Sequence, residues 1–291
     1  MNVDVDAPTR PVLRYHGGKW KLAPWILKHF PPHHIYIEPF GGAASVLLRK
    51  PRSYGEVYND LDGEVVNVFR ILRDPATAHE LRRRIELTSF SREEFKAAYG
   101  EPTDDIDRAH KMITRAFMGF GSASMTRTHM TGFRSNSNRS GTTPATDWAN
   151  WPQYVPQIVE RLRGVIVENR PADLVIAQHD EPRALIYADP PYVQSTRSSL
   201  ANKNGNRGHY YRHDMDEDGH RALAVLLQEA KGMVAVSGYP SPLYDEQLYP
   251  DWERVTVDHM ADGAKPRTEA LWLNQALVEA LARTTNQRRL L

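Results

Sequence analysis

The sequence predicts an open α/β sheet carrying an inserted helical block, and three observations point there. Leu185-Ile186-Tyr187-Ala188 is an apolar run of strand character that ends on Asp189-Pro190-Pro191-Tyr192. A run bounded by breakers in this way reads as a buried strand of such a sheet. Ile35-Tyr36-Ile37-Glu38, then Pro39-Phe40-Gly41-Gly42-Ala43-Ala44-Ser45, then Val46-Leu47-Leu48 gives strand, glycine turn and helix. That is the opening of a nucleotide-binding α/β unit. Residues 74–117 then break the strand–helix alternation with consecutive helical patterns. The predicted division is a catalytic α/β part, residues 1–73 and 151–291, around an inserted helical and loop part, residues 74–150.

Taken in order, residues 1–12 form a lead-in, and Arg14-Tyr15-His16-Gly17-Gly18-Lys19-Trp20 a Gly-Gly turn. Its glycines let backbone approach a ligand and Lys19 can meet a carboxylate, although such turns are also common without any ligand. A short helix over 21–29 stops at Pro31-Pro32. The 39–45 turn lacks the full G-x-G-x-x-G spacing, so it implies no dinucleotide phosphate cradle; it is either a bed for a ligand or an ordinary strand–helix turn. Val57-Tyr58-Asn59-Asp60 is the second strand, and its acid lies where such sites place a carboxylate on ribose hydroxyls. Asp62 is the rival ligand, and either acid can cap the helix Gly63–Leu72.

Helices follow over Pro75–Leu87, after Ser91 and from about Asp104, with Ser91-Arg92-Glu93-Glu94 in capping-box spacing. A loop-like basic stretch runs on to Thr146. A helix over 152–163, a strand over 165–169 and a helix over 172–179 resume the alternation before the central strand. A helix over 216–230 and a buried strand over 233–236 come next, the strand leading into Ser237-Gly238-Tyr239. Segments 252–258 and 269–274 form a closing antiparallel pair around a polar turn.

The composition is that of a soluble globular protein, 41% hydrophobic and 25% charged, with no run long enough to span a membrane and no signal-peptide pattern, so a cytoplasmic location is expected. There are no cysteines. That excludes disulfides, thiolate zinc sites and the cysteine-nucleophile route to carbon 5 of cytosine. The net charge of +1 conceals local excess. Residues 112–146 hold Arg115, Arg127, Arg134 and Arg139 without an acid, and residues 194–213 hold Arg197, Lys203, Arg207 and Arg212 without one. One such stretch alone reads as a solvated loop. Two of them, one directly after Asp189–Tyr192, point to phosphate contacts with nucleic acid. Phe117, Met118, Phe120, Met125, Met130 and Phe133 lie in the first stretch and either pack or wedge into a base stack, packing being expected for most.

The stiff Asp189-Pro190-Pro191-Tyr192 turn presents a carboxylate, a carbonyl and an aromatic ring as one unit, since proline fixes its own backbone angle. Two acceptors beside an aromatic face suit a flat heterocycle with an exocyclic amino group.

These pieces together resemble the Dam-type (D12 class) DNA adenine-N6 methyltransferases. The matches are Tyr15-His16-Gly17-Gly18-Lys19, Glu38-Pro39-Phe40-Gly41-Gly42-Ala43, Asn59-Asp60-Leu61-Asp62 and Asp189-Pro190-Pro191-Tyr192, with Ser237-Gly238-Tyr239 and Arg267-Thr268-Glu269-Ala270-Leu271-Trp272 as later segments. They span nearly the whole chain in the family's order. Two departures stand out: Asp62 replaces a common asparagine, and Glu168-Asn169-Arg170 stands where Asp-Phe is frequent. The resemblance implies a Rossmann-like S-adenosylmethionine-dependent methyltransferase fold with an inserted, mainly helical target-recognition subdomain. It implies S-adenosyl-L-methionine as cofactor, with Tyr15, Lys19, Glu38, Pro39, Phe40, Gly41, Gly42, Asp60, Asn169 and Asp189 around it and no metal.

The implied substrate is an adenine flipped from double-stranded DNA. Asp189 and the Pro190 carbonyl would accept its amino hydrogens, Pro191 would stiffen the turn and Tyr192 would stack on the base. Arg127, Arg134 and Asn136 are the candidates for base reading. The sequence leaves no room for a nuclease domain, so a cognate restriction endonuclease would be a separate protein. Cytosine N4 methylation, an RNA substrate and a catalytically silent DNA-binding protein of the same fold are the alternatives.

Overall fold

The structure, a computed structural model, describes residues 8–15, 17–121, 130–136, 141–193, 213–261 and 265–289. The strands belong to one seven-stranded sheet, the mixed α/β architecture expected of a Rossmann-like methyltransferase. Two compact units share the chain: the first comprises Met1–Ala23, Gly42–Pro51 and Asp62–Asn169, the second Pro24–Gly41, Arg52–Leu61 and Arg170–Leu291. A short helix, α1 (Ala23–Leu27), precedes Pro31-Pro32 as expected.

The second unit holds six strands in the order β2-β1-β4-β5-β7-β6. They are β1 (Ile35–Glu38), β2 (Gly55–Asn59), β4 (Ala184–Ala188), β5 (Met233–Gly238), β6 (Glu253–Ala261) and β7 (Lys265–Leu273). β1, β2, β4 and β5 pair in parallel, whereas β7 runs antiparallel to both β5 and β6. β4 is buried along its whole length between β1 and β5. This explains why its sequence is continuously apolar rather than alternating. The chain leaves β1 toward β2 and β4 toward β5, so strand order reverses between β1 and β4. The carboxyl ends flanking such a reversal are where open α/β sheets bind ligands.

The core around these strands includes Ile186, Val234, Val236, Tyr244 and Trp272. α9 (Ala172–His179), α10 (Glu217–Gln228) and α11 (Gln275–Arg289) belong to this unit. Asp216 caps α10 by accepting from the Gly219 amide at 2.8 Å.

In the first unit, α2 (Ser45–Arg49) is short, and α3 (Gly63–Arg73), α4 (Pro75–Leu87), α5 (Arg92–Ala97), α6 (Asp105–Met118), α7 (Pro144–Asn150) and α8 (Val155–Leu162) accompany the strand β3 (Val165–Glu168) among the described residues. Local chemistry sets the helix starts. Asp62, Asp74, Ser91, Asp104 and Thr143 each accept an amide of the first turn, and Pro75 and Pro144 open α4 and α7.

Side chains join the segments of this unit. The Asn67 amide donates to the Asp105 carbonyl at 2.8 Å, the Trp151 indole to Val12 at 3.1 Å and Arg161 to Leu47 at 2.5 Å. The first unit therefore gathers residues on both sides of the 74–150 segment rather than that segment alone. α7 begins within what reads from sequence as loop, and the helix expected over 152–163 opens with a 3₁₀ turn at Trp151–Tyr154.

Candidate active site

The carboxyl end of the second unit's sheet is built from the ends of β1, β2, β4 and β5 and the start of β7. Asp189 follows β4 directly and is half-buried, while Pro190 and Tyr192 are buried. The Tyr192 hydroxyl donates to Glu269 Oε1 in a short hydrogen bond. Ser237 Oγ donates to that same oxygen at 3.0 Å and lies 3.4 Å from the Tyr192 hydroxyl. Tyr239 meets the Tyr192 ring edge-on, with centroids 4.6 Å apart at 75°. The Arg267 guanidinium stands 5.6 Å over the Tyr239 ring.

Burial pushes the Tyr192 phenol well above its ordinary range, and the neighbouring charges of Asp189 and Glu269 push it the same way. Tyr187 is raised chiefly by burial and then by Asp189. Both phenols are therefore neutral at physiological pH.

β1 ends in Glu38, which is buried, and its Oε2 accepts from the Tyr36 hydroxyl at 2.8 Å. Residues 36 and 38 share one face of the strand, which is why they meet. Burial, then the Glu38 charge, raises the Tyr36 phenol.

In the turn that follows, a Cβ on Gly41 would fall 2.2 Å from the Tyr58 ring. The Gly41 amide also donates to the Asn59 carbonyl at 2.7 Å. Gly41 is thus required by the packing of β2 against the turn, whatever else lies beside it. Asn59, only 1% exposed, donates through Nδ2 to the Pro39 carbonyl at 2.9 Å and the Arg170 carbonyl at 3.0 Å, and its Oδ1 accepts from the Arg170 amide at 3.0 Å. One asparagine thereby ties the turn after β1 to the segment entering α9. Asp60, the next residue, is half-buried, and Phe40 packs partly against the core.

In the first unit, Asp62 takes the capping role, its Oδ1 accepting from the Glu64 amide at 3.0 Å. Asp60 is not the cap of α3. Gly42 has φ +47° and a Cβ there would come within 3.0 Å of the Tyr15 ring, so Tyr15 and Gly42 are neighbours. Lys19 is buried and its Nζ donates to the Gly17 carbonyl at 2.9 Å, which braces its own turn. Asn169 is exposed, with Oδ1 3.3 Å from where a Gly63 Cβ would lie.

The basic residues fare differently. Arg115 is 1% exposed; it donates to the Ala98 carbonyl at 2.6 Å, lies 3.8 Å from Glu64 and stands over the Tyr99 ring. The expected phosphate contact is corrected here: the spacing that puts Arg115 on the inner face of α6 buries it. Arg134 is half-buried and donates to the Phe117 carbonyl at 3.0 Å, while Asn136 is exposed. Arg127, Arg139, Arg197, Lys203, Arg207 and Arg212 lie outside the described residues.

Gly119 and Phe133 form an antiparallel bridge, with the Phe120 amide donating to Gly132 and the Arg134 amide to Met118. Phe117 and Met118 are buried and Phe133 packs on Phe90 and Phe95, whereas Phe120 and Met130 are exposed; Met125 lies outside the described residues.

Among the described residues, no group of three or more His, Asp or Glu side chains is placed to hold a metal ion, and no helix is long and apolar enough to cross a membrane.

Sequence reasoning left Glu269, Ser237 and Asn59 without a role. The signal available was polarity out of place: Ser237 closes an apolar strand and Glu269 precedes Ala270-Leu271-Trp272.

Known proteins resemble this chain over most of its length. The chain is 27% identical over 262 residues to the Type II methyltransferase M1.LlaDCHI of Lactococcus lactis subsp. cremoris, covering 84% of this chain and 85% of that one. It is 24% identical over 210 residues to a DNA adenine methylase of Vibrio cholerae, covering 68% and 70%. A 64-residue stretch is 33% identical to a DNA adenine methylase of Serratia marcescens, 22% of this chain and 23% of that one. The model of the D12 class N6 adenine-specific DNA methyltransferases matches residues 15–239, from the Tyr15 turn through the strand ends to Tyr239. A carboxylate, a proline carbonyl and a buried tyrosine at the end of the central strand therefore sit within a family match that spans most of the sequence, and the chain belongs to the D12 class of N6 adenine-specific DNA methyltransferases.

Proposed function

We propose that the protein methylates N6 of adenine at a specific site in double-stranded DNA, with S-adenosyl-L-methionine as donor and Asp189–Tyr192 as the catalytic segment. The observation that carries this reading is the position of Asp189-Pro190-Pro191-Tyr192 at the carboxyl end of the central strand, inside the family match. The cofactor supplies a methyl group that is already electrophilic. The residues present fit it: Asp60 follows β2 and offers a half-buried carboxylate to ribose hydroxyls, and Phe40, which follows β1, offers an apolar surface.

The chemical difficulty lies in the adenine amino group, whose lone pair is delocalised into the ring. Asp189 and the Pro190 carbonyl each accept one N–H, which favours a tetrahedral nitrogen and frees its lone pair. This is positioning and preorganised electrostatics rather than strong base catalysis. Asp189 receives the proton only as the new bond forms. The base must leave the duplex to reach these groups, at a cost of a few kcal/mol. Backbone phosphate binding by Arg127, Arg139, Arg197, Lys203, Arg207 and Arg212 offsets that cost, and Arg134 and Asn136 in the 74–150 segment read the site. The reaction belongs to the cytoplasm, where the DNA is, and the likeness to a Type II methyltransferase supports pairing with a separate restriction endonuclease.

The test uses tritiated S-adenosyl-L-methionine and unmethylated plasmid, with the DNA digested to nucleosides. Label in N6-methyladenosine from wild type and none from Asp189→Ala is the expected result. Label in N4-methylcytidine would overturn the substrate assignment. No transfer at all would favour a silent DNA-binding protein.

A further inference from the structure

We propose that Glu269 and Ser237 are positioning residues for the methyl transfer, acting through the hydroxyl of Tyr192 to hold its ring as a fixed face for the target base. The inference rests on the reading of Tyr192 as the base-stacking residue and adds residues that reading does not include.

Topology brings the three groups together. β7 enters the sheet antiparallel to β5, with Ala270 opposite Gly238 and Leu271 opposite Ser237. Glu269 therefore lies at the same end of the sheet as the residues that follow β4. Its side chain is 2% exposed, and its Oε1 accepts from both the Tyr192 hydroxyl and Ser237 Oγ. Ser237 is fully buried on a strand whose preceding residues are apolar.

A buried carboxylate in a strand whose neighbours are Ala270, Leu271 and Trp272 is a poor choice for stability. An apolar side chain there would avoid the desolvation cost, and buried charges seldom repay it. The arrangement gains orientation instead. Tyr192 is held at its backbone by two prolines, at its far end by Glu269 and along one edge by Tyr239. The remaining freedom of the ring is small, so its face is set before any base arrives. The same geometry commits the Tyr192 hydroxyl to Glu269, which leaves the ring face, and not the phenol, for the substrate.

Misplacement of a group that orients a reactant by about 1 Å is worth up to about a hundredfold in rate. Glu269→Gln keeps the shape but exchanges the carboxylate for a neutral amide, whose oxygen is the weaker acceptor for both hydroxyls. We expect it to lower kcat on unmethylated plasmid at least about tenfold, with KM for S-adenosyl-L-methionine within about threefold of wild type. Tyr192→Phe, which removes only the hydroxyl, should lose a similar factor, and the double variant little more than either alone, because both remove one interaction. Multiplicative losses in the double variant, or kcat within twofold of wild type for Glu269→Gln, would overturn the proposal while leaving the methyltransferase reading intact. Inactive wild type would overturn that reading and this inference together. Should Glu269→Gln fail to fold by circular dichroism, Tyr192→Phe decides: it keeps the carboxylate and its bond from Ser237, and kcat within twofold of wild type would refute the role of the hydroxyl.

Discussion

Replacing Asn59 with alanine removes three hydrogen bonds at once from a site that is only 1% exposed: two donated to the Pro39 and Arg170 carbonyls at 2.9 and 3.0 Å, and one accepted from the Arg170 amide at 3.0 Å. Each such bond contributes a net of about 0.5–1.5 kcal/mol, and the stranded backbone groups add a desolvation penalty, so we expect Asn59→Ala to destabilise by about 2–4 kcal/mol. Asn59→Asp is the sharper variant. It preserves volume and the acceptor for Arg170 but turns two donors into a carboxylate facing two carbonyls, so it should be at least as damaging as alanine. Urea denaturation at pH 7 measures both. Because Asn59 also fixes the backbone immediately before Asp60, KM for S-adenosyl-L-methionine should rise about tenfold in the alanine variant at temperatures where it remains folded. An alanine variant within about 0.5 kcal/mol of wild type, or an aspartate variant more stable than alanine, would refute the view that Asn59 ties these segments together.

Two further outcomes follow from groups in the first unit. Arg115→Ala leaves the Ala98 carbonyl and Glu64 without their buried cation and should destabilise by about 3 kcal/mol, while the salt dependence of DNA binding by the folded variant stays as in wild type; a shallower salt slope would restore Arg115 to the phosphate contacts. His110 is held neutral chiefly by burial, with Arg84 and Lys111 acting the same way against Asp107. Since the Thr88 hydroxyl donates to the Arg84 carbonyl, His110 Nε2 must donate to Thr88. Its folded pKa lies below the ordinary 6.5, so the unfolded chain takes up the proton first. The stability His110 contributes is then complete above pH 6.5 and lost as pH falls through the lowered folded value. His110→Gln should flatten the stability curve between pH 8 and about 5, and curves that stay parallel would refute the assignment.

The parts of this molecule legible in the sequence are those fixed by local chemistry. Helix starts at Asp62, Asp74, Ser91 and Asp104 follow from side chains that accept amides two or three residues on, and β4 is recognisable because burial on both faces makes its sequence continuously apolar. Whatever depends on the far side of the fold was hidden. Arg115 reads as a loop-proximal cation, and only the packing of α6 reveals that its side chain points inward. Gly41 reads as part of a ligand turn, and only the Tyr58 ring shows that packing demands it. Asn59 and Glu269 act across 111 and 77 residues of sequence respectively, and no periodicity carries such a pairing.

The two hidden residues share a logic that bears on how the sheet end works. Asn59 satisfies backbone groups of the turn after β1 and of the segment entering α9. Glu269 and Ser237 occupy the hydroxyl of Tyr192 so that its ring is held without help from a substrate. In both cases a buried polar residue holds the backbone or ring of the sheet end in place. Hydrogen bonds made inside the sheet end are not made by water, so a ligand arriving there meets groups already oriented and has less ordering to impose. Ser237 and Glu269 sit on adjacent strands at the end of the sheet where β4 delivers Asp189, while β4 and β5 themselves hold no charged residue, so the carboxylate that orients Tyr192 comes from β7.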